Sequence, residues 1–279
     1  MIIDMHTHIF PPDLAEKTLP WLSGICGLPF NTDGTVDGLL RSMEKNGIGL
    51  SVTMPIVTRP GTMRKINNFA AEQAKRRGIR SFGSVHPDEK DWRGELRRFR
   101  ELGLCGLKLH NDFQGFRFDT PECLRIVEAA FDEGLPVLVH AGNDLVSPEI
   151  HRCTPAMLRD AMPLLRQGTF IAAHMGGHMD LETAMREVIG QEIYIDTSMA
   201  STYYPPEDCR RAILAHDPDK ILFGTDSPWD HQGKAVAFLR SLELKQELEE
   251  KILYRNATRI LGNELQISRQ YLSENPLSL

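Results

Sequence analysis

His6 and His8 stand two residues apart in IIDMHTHIF, straight after the apolar pair Ile2 and Ile3 and beside Asp4. In an extended strand, side chains at that spacing point to one side. Two imidazoles turned into a core are costly unless they are hydrogen-bonded or hold an ion. By itself the pair fits ligands, hydrogen-bonded core imidazoles or exposed histidines. The rest of the chain supplies more of the same chemistry. Lys108 and His110 repeat the spacing in GLKLH, and His86, His140, His174, Asp196 and Asp226 each stand at the end of an apolar run. Neutral imidazoles with a carboxylate suit a borderline divalent ion, zinc first, and leave a position for water. Such an ion lowers the pKa of that water toward about 7 and polarises a carbonyl, while a nearby His or Asp moves the proton.

Residues so far apart meet only if the elements carrying them converge. Eight β-type runs are legible: IIDMHTH, LSVTMPIV, IRSFGSVHP, LCGLKLH, LPVLVHAG, TFIAAHMGG, IYIDTS and ILFGTDSPW. After the first gap they start about 25 to 35 residues apart, the length of a β-α unit. Between them lie helical stretches. DWRGELRRFRELG, TPECLRIVEAAFDEG and DLETAMREVIG each open on Asp or Thr and end at Gly, while MRKINNFAAEQAKRRG closes on basic residues and Gly78. Eight such units predict an α/β chain forming a single (β/α)8 TIM barrel over residues 1–262, with a tail at 263–279. A doubly wound open sheet is the rival, but no G-x-G-x-x-G or Walker sequence supports it. A solenoid fails because the segments are not self-similar. In a barrel the C-terminal strand ends share one mouth, so the ligand-competent residues become neighbours. The stretch 10–34, rich in Pro and Gly and carrying Trp21 and Phe30, is expected to be an extended loop after strand 1 that walls, covers or plugs that mouth.

Composition narrows the partners. The net charge of -6 argues against nucleic acid or an anionic membrane, which call for a basic face. No apolar run approaches a membrane span, and no basic leader precedes the first strand. Five widely spaced cysteines without a C-x-x-C read as reduced thiols in a cytoplasmic protein. A small-molecule substrate is the expected partner, and a homodimer the commonest symmetric assembly.

As an ordered set, DMHTH, GLKLH followed by NDFQGF, PVLVHAG, AAHMGG, FGTDSPW and the closing NATRILG resemble the amidohydrolase superfamily, specifically the amidohydrolase-2 branch of TIM-barrel hydrolases and decarboxylases. The resemblance runs from residue 2 to about 262. It implies one divalent metal, or two, with His6, His8, His140 and Asp226 as ligands. His174 would then be an acid/base group or a ligand of a second metal. It implies hydrolysis of an amide, lactone or ester of a small substrate that can carry a carboxylate, with His174 or Asp226 moving the proton. The same branch contains non-oxidative decarboxylases and hydratases of small unsaturated or aromatic acids, which is the alternative. A non-catalytic metal-binding scaffold would predict a broken ligand set, and the four ligand positions are intact.

Several residues keep two readings. Asp226 can instead cap the turn begun by Ser227-Pro228. Lys108 can contact a substrate carboxylate or oxyanion, bridge two metals as a carbamate, or neutralise a buried acid. His110 and His86 are expected to line the site, Trp229 to wall it or merely pack, and Asp196 to support a neighbour. His151, His178, His216 and His231 are expected on surfaces or loops. Arg59, Arg117 and Arg152 can meet an acidic substrate or simply be solvated.

Overall fold

The computed structural model describes residues 1–262; the tail at 263–279 lies outside the described residues. Eight short parallel strands follow one another around the molecule: β1 (Ile3–Thr7), β2 (Leu50–Thr53), β3 in two pieces (Ile79–Ser81 and Gly83–Ser84), β4 (Leu107–Leu109), β5 (Val137–Val139), β6 (Phe170–Ala172), β7 (Tyr194–Asp196) and β8 (Ile221–Leu222). Each pairs with the next in sequence, the second piece of β3 taking up the pairing to β4. The ring closes between its last and first members. Met5 N donates to Phe223 O at 2.9 Å and Asp226 N to His6 O at 2.7 Å, and Thr7 bridges Ser227. The chain is therefore a (β/α)8 barrel, as the spacing of the β-α units predicts.

Two apolar layers follow from the alternation of the strands. In β5, Val137 and Val139 pack outward against the helices, whereas Leu138 joins an inner cluster with Ile3, Met5, Val52, Phe82, Ile171 and Leu222. That inner cluster fills the barrel below the mouth, so the polar residues above it rest on a packed floor.

The helices begin where their caps predict. Thr120 accepts from Cys123 N at the start of Pro121–Asp132, Asp91 from Gly94 N before Trp92–Leu102, and Asp180 from Thr183 N before Leu181–Glu187. Two expectations are corrected. The helix Met63–Gln73 stops at Ala74 instead of running to Gly78. The stretch 10–34 is for the most part not a loop: Pro12–Cys26 is a helix of 15 residues. Its Pro12 occupies the first turn, where a missing N–H is harmless. Ala15, Leu19 and Leu22 form a buried stripe, and Gly27, at φ 67°, ends the helix. Counting prolines missed this because only Pro20 lies in the helix interior. Trp21 and Phe30 are exposed. Asn31, whose side-chain amide donates to Pro228 O and Trp229 O, ties the segment to the last strand's loop.

Candidate active site

The mouth is built strand by strand. In β1 the alternation is broken: Ile3 and Met5 face the inner cluster, and the register against β2 shifts between Asp4 and Thr7. A bulge of this kind re-aims side chains. It lets His6 follow Met5 inward, where its ring meets groups from three other strands. His6 Nδ1 donates to Asp196 Oδ2 at 2.8 Å, which leaves Nε2 as the bare acceptor. That nitrogen stands 3.2 Å from Lys108 Nζ and 3.3 Å from Asp226 Oδ1. His8 Nε2 lies 3.0 Å from the same Asp226 oxygen. His6, His8 and Asp226 thus offer three donor atoms within 4.8 Å of one another.

Asp226 does not cap the turn that follows it. Trp229 N closes that turn on the Asp226 carbonyl, and the carboxylate faces the imidazoles. Its backbone sits at φ 68°, an unfavourable region for a residue with a Cβ, and His174 shares that strain at φ 58°. Burial alone would raise the Asp226 pKa, but His6, His8 and Lys108 outweigh it and hold the carboxyl well below the usual range. Burial pushes the His6, His140 and His174 pKa values down, reinforced at His6 by Lys108 and at His140 and His174 by neighbouring histidines. All three rings are neutral at pH 7, the form that binds a cation.

His140 and His174 make a second facing pair. His140 Nε2 meets the Asn143 carbonyl at 3.1 Å, and a carbonyl only accepts, so the His140 proton is on Nε2 and Nδ1 is bare. On the other side, Ser198 Oγ donates to Asp196 Oδ1 and therefore accepts from His174 Nδ1 at 2.8 Å, leaving His174 Nε2 bare. The two bare nitrogens stand 3.0 Å apart. Two neutral lone pairs at that distance need a proton or a metal ion between them. The His6, His8 and Asp226 set fits a divalent ion by its chemistry, and His140 and His174 add two bare nitrogens to the same mouth.

The remaining expected residues fall in different places. Lys108 is fully buried against His6, and burial lowers its pKa to about 8, although Asp226 and Asp196 pull it back up. His110 is engaged as a brace: its Nδ1 accepts from Phe113 N, its Nε2 faces Asp144 at 3.5 Å, and its ring stacks on His140 with centroids 4.2 Å apart. Both nitrogens of His86 are taken by backbone groups of Gln114 and Asp88. Trp229 is half-buried beside the mouth. Asp196 supports its neighbours, accepting from His6, Ser198 and the His174 backbone N–H. Arg117 is paired with Asp119, and Arg152 stands 3.8 Å from Asp112.

Sequence reasoning missed Ser198, whose hydroxyl sets the His174 tautomer, and did not foresee that two of the histidines it placed on surfaces or loops are buried within their loops. His178 and His216 are buried. His216 is satisfied by Gly190 N and Ile193 O. His178 packs against the rings of His140 and His174, at centroid distances of 5.4 and 4.8 Å. Its closeness to Gly176 and Gly177 in HMGGH was the available signal, since a turn that tight returns the chain to the site.

Residues 3–262 match the model of a family described as amidohydrolase. Among curated proteins none matches the chain significantly in sequence. Solved structures share its fold. An uncharacterised TIM-barrel protein from Bordetella bronchiseptica is 19% identical, covering 93% of this chain and 98% of its own, with a TM-score of 0.73. A probable 2-pyrone-4,6-dicarboxylic acid hydrolase from Acinetobacter baumannii is 15% identical over 94% and 99%, at 0.67. A dihydroxybenzoic acid decarboxylase from a Polaromonas species, with bound manganese, is 18% identical over 93% and 96%, at 0.66.

Proposed function

This chain belongs to the amidohydrolase family, and from that premise we propose that it is a metal-dependent hydrolase that opens an amide, lactone or ester of a small substrate with water. One observation carries this reading: beside the His6, His8 and Asp226 set, the bare nitrogens of His140 and His174 face each other at 3.0 Å, with Lys108 buried beside His6. His6, His8 and Asp226 would hold one ion, zinc by ligand preference, and His140 with His174 a second. When bound, the metal supplies a lowered pKa for water and polarisation of the substrate carbonyl.

The chain's own groups do the rest. Both imidazoles meet Asp226 at Oδ1, so Oδ2 is the oxygen that takes a proton from water and returns it to the leaving group. Asp226 is ionised at neutral pH and able to accept. Asp196 and Ser198 keep His6 and His174 in the tautomers that present bare nitrogen toward the mouth. Lys108 is enclosed behind His6, and its lowered pKa of about 8 gives it a neutral fraction that could add carbon dioxide, releasing a proton, to give a carbamate whose oxygens would serve as metal ligands. Decarboxylation is the other reading: the ion that His6, His8 and Asp226 would hold could instead orient a substrate carboxylate.

The test is metal content by mass spectrometry, in protein purified without added metal or a histidine tag, beside hydrolysis of simple lactones and esters. Two equivalents in the wild type, falling to one or none in Lys108→Ala, together with lactone or ester turnover, are the expected result. Protein without divalent metal, or protein that releases carbon dioxide from hydroxybenzoates while hydrolysing nothing, overturns the reading.

A further inference from the structure

Among the buried side-chain atoms that have no hydrogen-bond partner among the described residues are His178 Nε2 and the Tyr203 hydroxyl. They belong to one place. The two rings meet edge to face with centroids 4.9 Å apart, and His178 packs in turn on His174. His178 is 7% exposed, and its other ring nitrogen, Nδ1, is held 2.6 Å from the Asn143 carbonyl. That carbonyl can only accept, so the proton is on Nδ1 and Nε2 is a bare acceptor. His178 is not part of any of the donor sets that could hold a metal among the described residues. Tyr203, by contrast, offers an O–H. Burial and then Cys26, Asp226, Asp144 and Asp230 push its pKa up to about 12, so the phenol keeps its proton. A buried acceptor and a buried donor left unmatched each carry a desolvation cost that a ligand can recover.

We propose that His178 Nε2 and the Tyr203 hydroxyl are the specificity contact of this site, taking between them a neutral hydroxyl or amide group of the substrate. The bare nitrogen accepts the substrate's O–H or N–H, and the phenol donates to its oxygen. The inference rests on the hydrolase reading and adds the class of substrate: neutral and hydroxyl- or amide-bearing, not a carboxylate. The surroundings support that choice. A carboxylate carries no proton for that bare nitrogen, and Asp144 and Asp230, which act on Tyr203, add negative charge there. The Gly142 backbone pins His178 in place. A Cβ there would lie 2.1 Å from His178 N, and Asn143 N donates to His178 O at 3.0 Å.

The test uses three probes on the metal-loaded enzyme: γ-butyrolactone, α-hydroxy-γ-butyrolactone and 5-oxotetrahydrofuran-3-carboxylate. The expected result is a kcat/KM for the hydroxylated lactone about tenfold or more above either of the others, carried mostly by KM. Tyr203→Phe and His178→Gln should bring that ratio toward one, and the double variant should abolish it. A preference for the carboxylate, or a ratio that both variants leave intact, overturns the proposal. If no lactone is turned over, calorimetric binding of the same three probes judges the contact by itself, and the hydrolase reading stands or falls on its own test. Tighter binding of the hydroxylated probe that Tyr203→Phe erases sustains it; equal binding of all three removes it.

Discussion

Asp196 shows how one buried carboxylate can organise a site it does not have to enter. It takes the His6 Nδ1 proton at 2.8 Å, the His174 backbone N–H at 2.9 Å and the Ser198 hydroxyl. Burial would raise its pKa, but the facing His6 outweighs this and keeps it ionised. Replacing it by Asn removes the charge that holds His6 in its binding tautomer. Asp196→Asn is expected to weaken metal affinity by about 10- to 100-fold, measured by competition with a chelator, while the far-UV circular dichroism stays native. The ligand histidines give a pH prediction of the same scale. Burial lowers the pKa values of His6, His140 and His174, so protons compete with the metal only at lower pH than for an ordinary imidazole. Metal content followed on acidification should hold at pH 6.5 and drop below it; a content that does not change with pH would show that these rings are not the ligands.

The elements matter mainly through their ends. The strands are short, five residues at most, and the ligand-bearing residues sit on or just past their C-terminal tips. A backbone that must turn sharply there is strained, and His174, Met175, Met179, Met199 and Asp226 all adopt positive φ. Gly142, at φ 99°, shows what that geometry demands, since the loop after β5 touches His178 along its backbone. Gly142→Ala should lower stability by roughly 2–4 kcal/mol, read from denaturant midpoints, because neither the strain nor the backbone clash can be relieved by a side-chain shift. A change below about 0.5 kcal/mol would mean that the loop has room to move. The helix Pro12–Cys26 carries the opposite lesson, because its buried stripe of Ala15, Leu19 and Leu22 overrode a proline content that reads as loop.

At the scale of the whole molecule, closing the barrel joins residue 4 to residue 225. Asp4 is buried and accepts from Thr225 N at 3.0 Å, Thr225 Oγ1 at 2.7 Å and Gln232 Nε2 at 2.8 Å. Burial raises its pKa to about 7 against the pull of those hydrogen bonds. The folded state therefore holds a proton that the unfolded chain releases near pH 4, so the folded state binds more protons between about pH 4 and 7. Stability must fall as pH rises through that window, by up to roughly 4 kcal/mol from this group. Asp4→Asn should flatten that slope, seen by comparing denaturation midpoints at pH 4.5 and 8 in both proteins. An unchanged slope would assign the effect to another group. No helix among the described residues is long and apolar enough to cross a membrane.

The order of β-α units, the caps at Thr120, Asp91 and Asp180, and the placing of His6, His8, His140, His174 and Asp226 at strand ends were all determined by the sequence itself. They depend on local periodicity and on residues whose chemistry is distinctive wherever they stand. The bulge in β1, the tautomers set by Asp196, Ser198 and Asn143, and the burial of Lys108 and His178 were decided only by the tertiary structure. Apart from the His140 tautomer, which Asn143 sets from three residues on, each depends on a partner distant in sequence, 24 residues away for Ser198 on His174 and 190 for Asp196 on His6. A side chain's type says what it can bond; only the closed barrel says which of its atoms is left free.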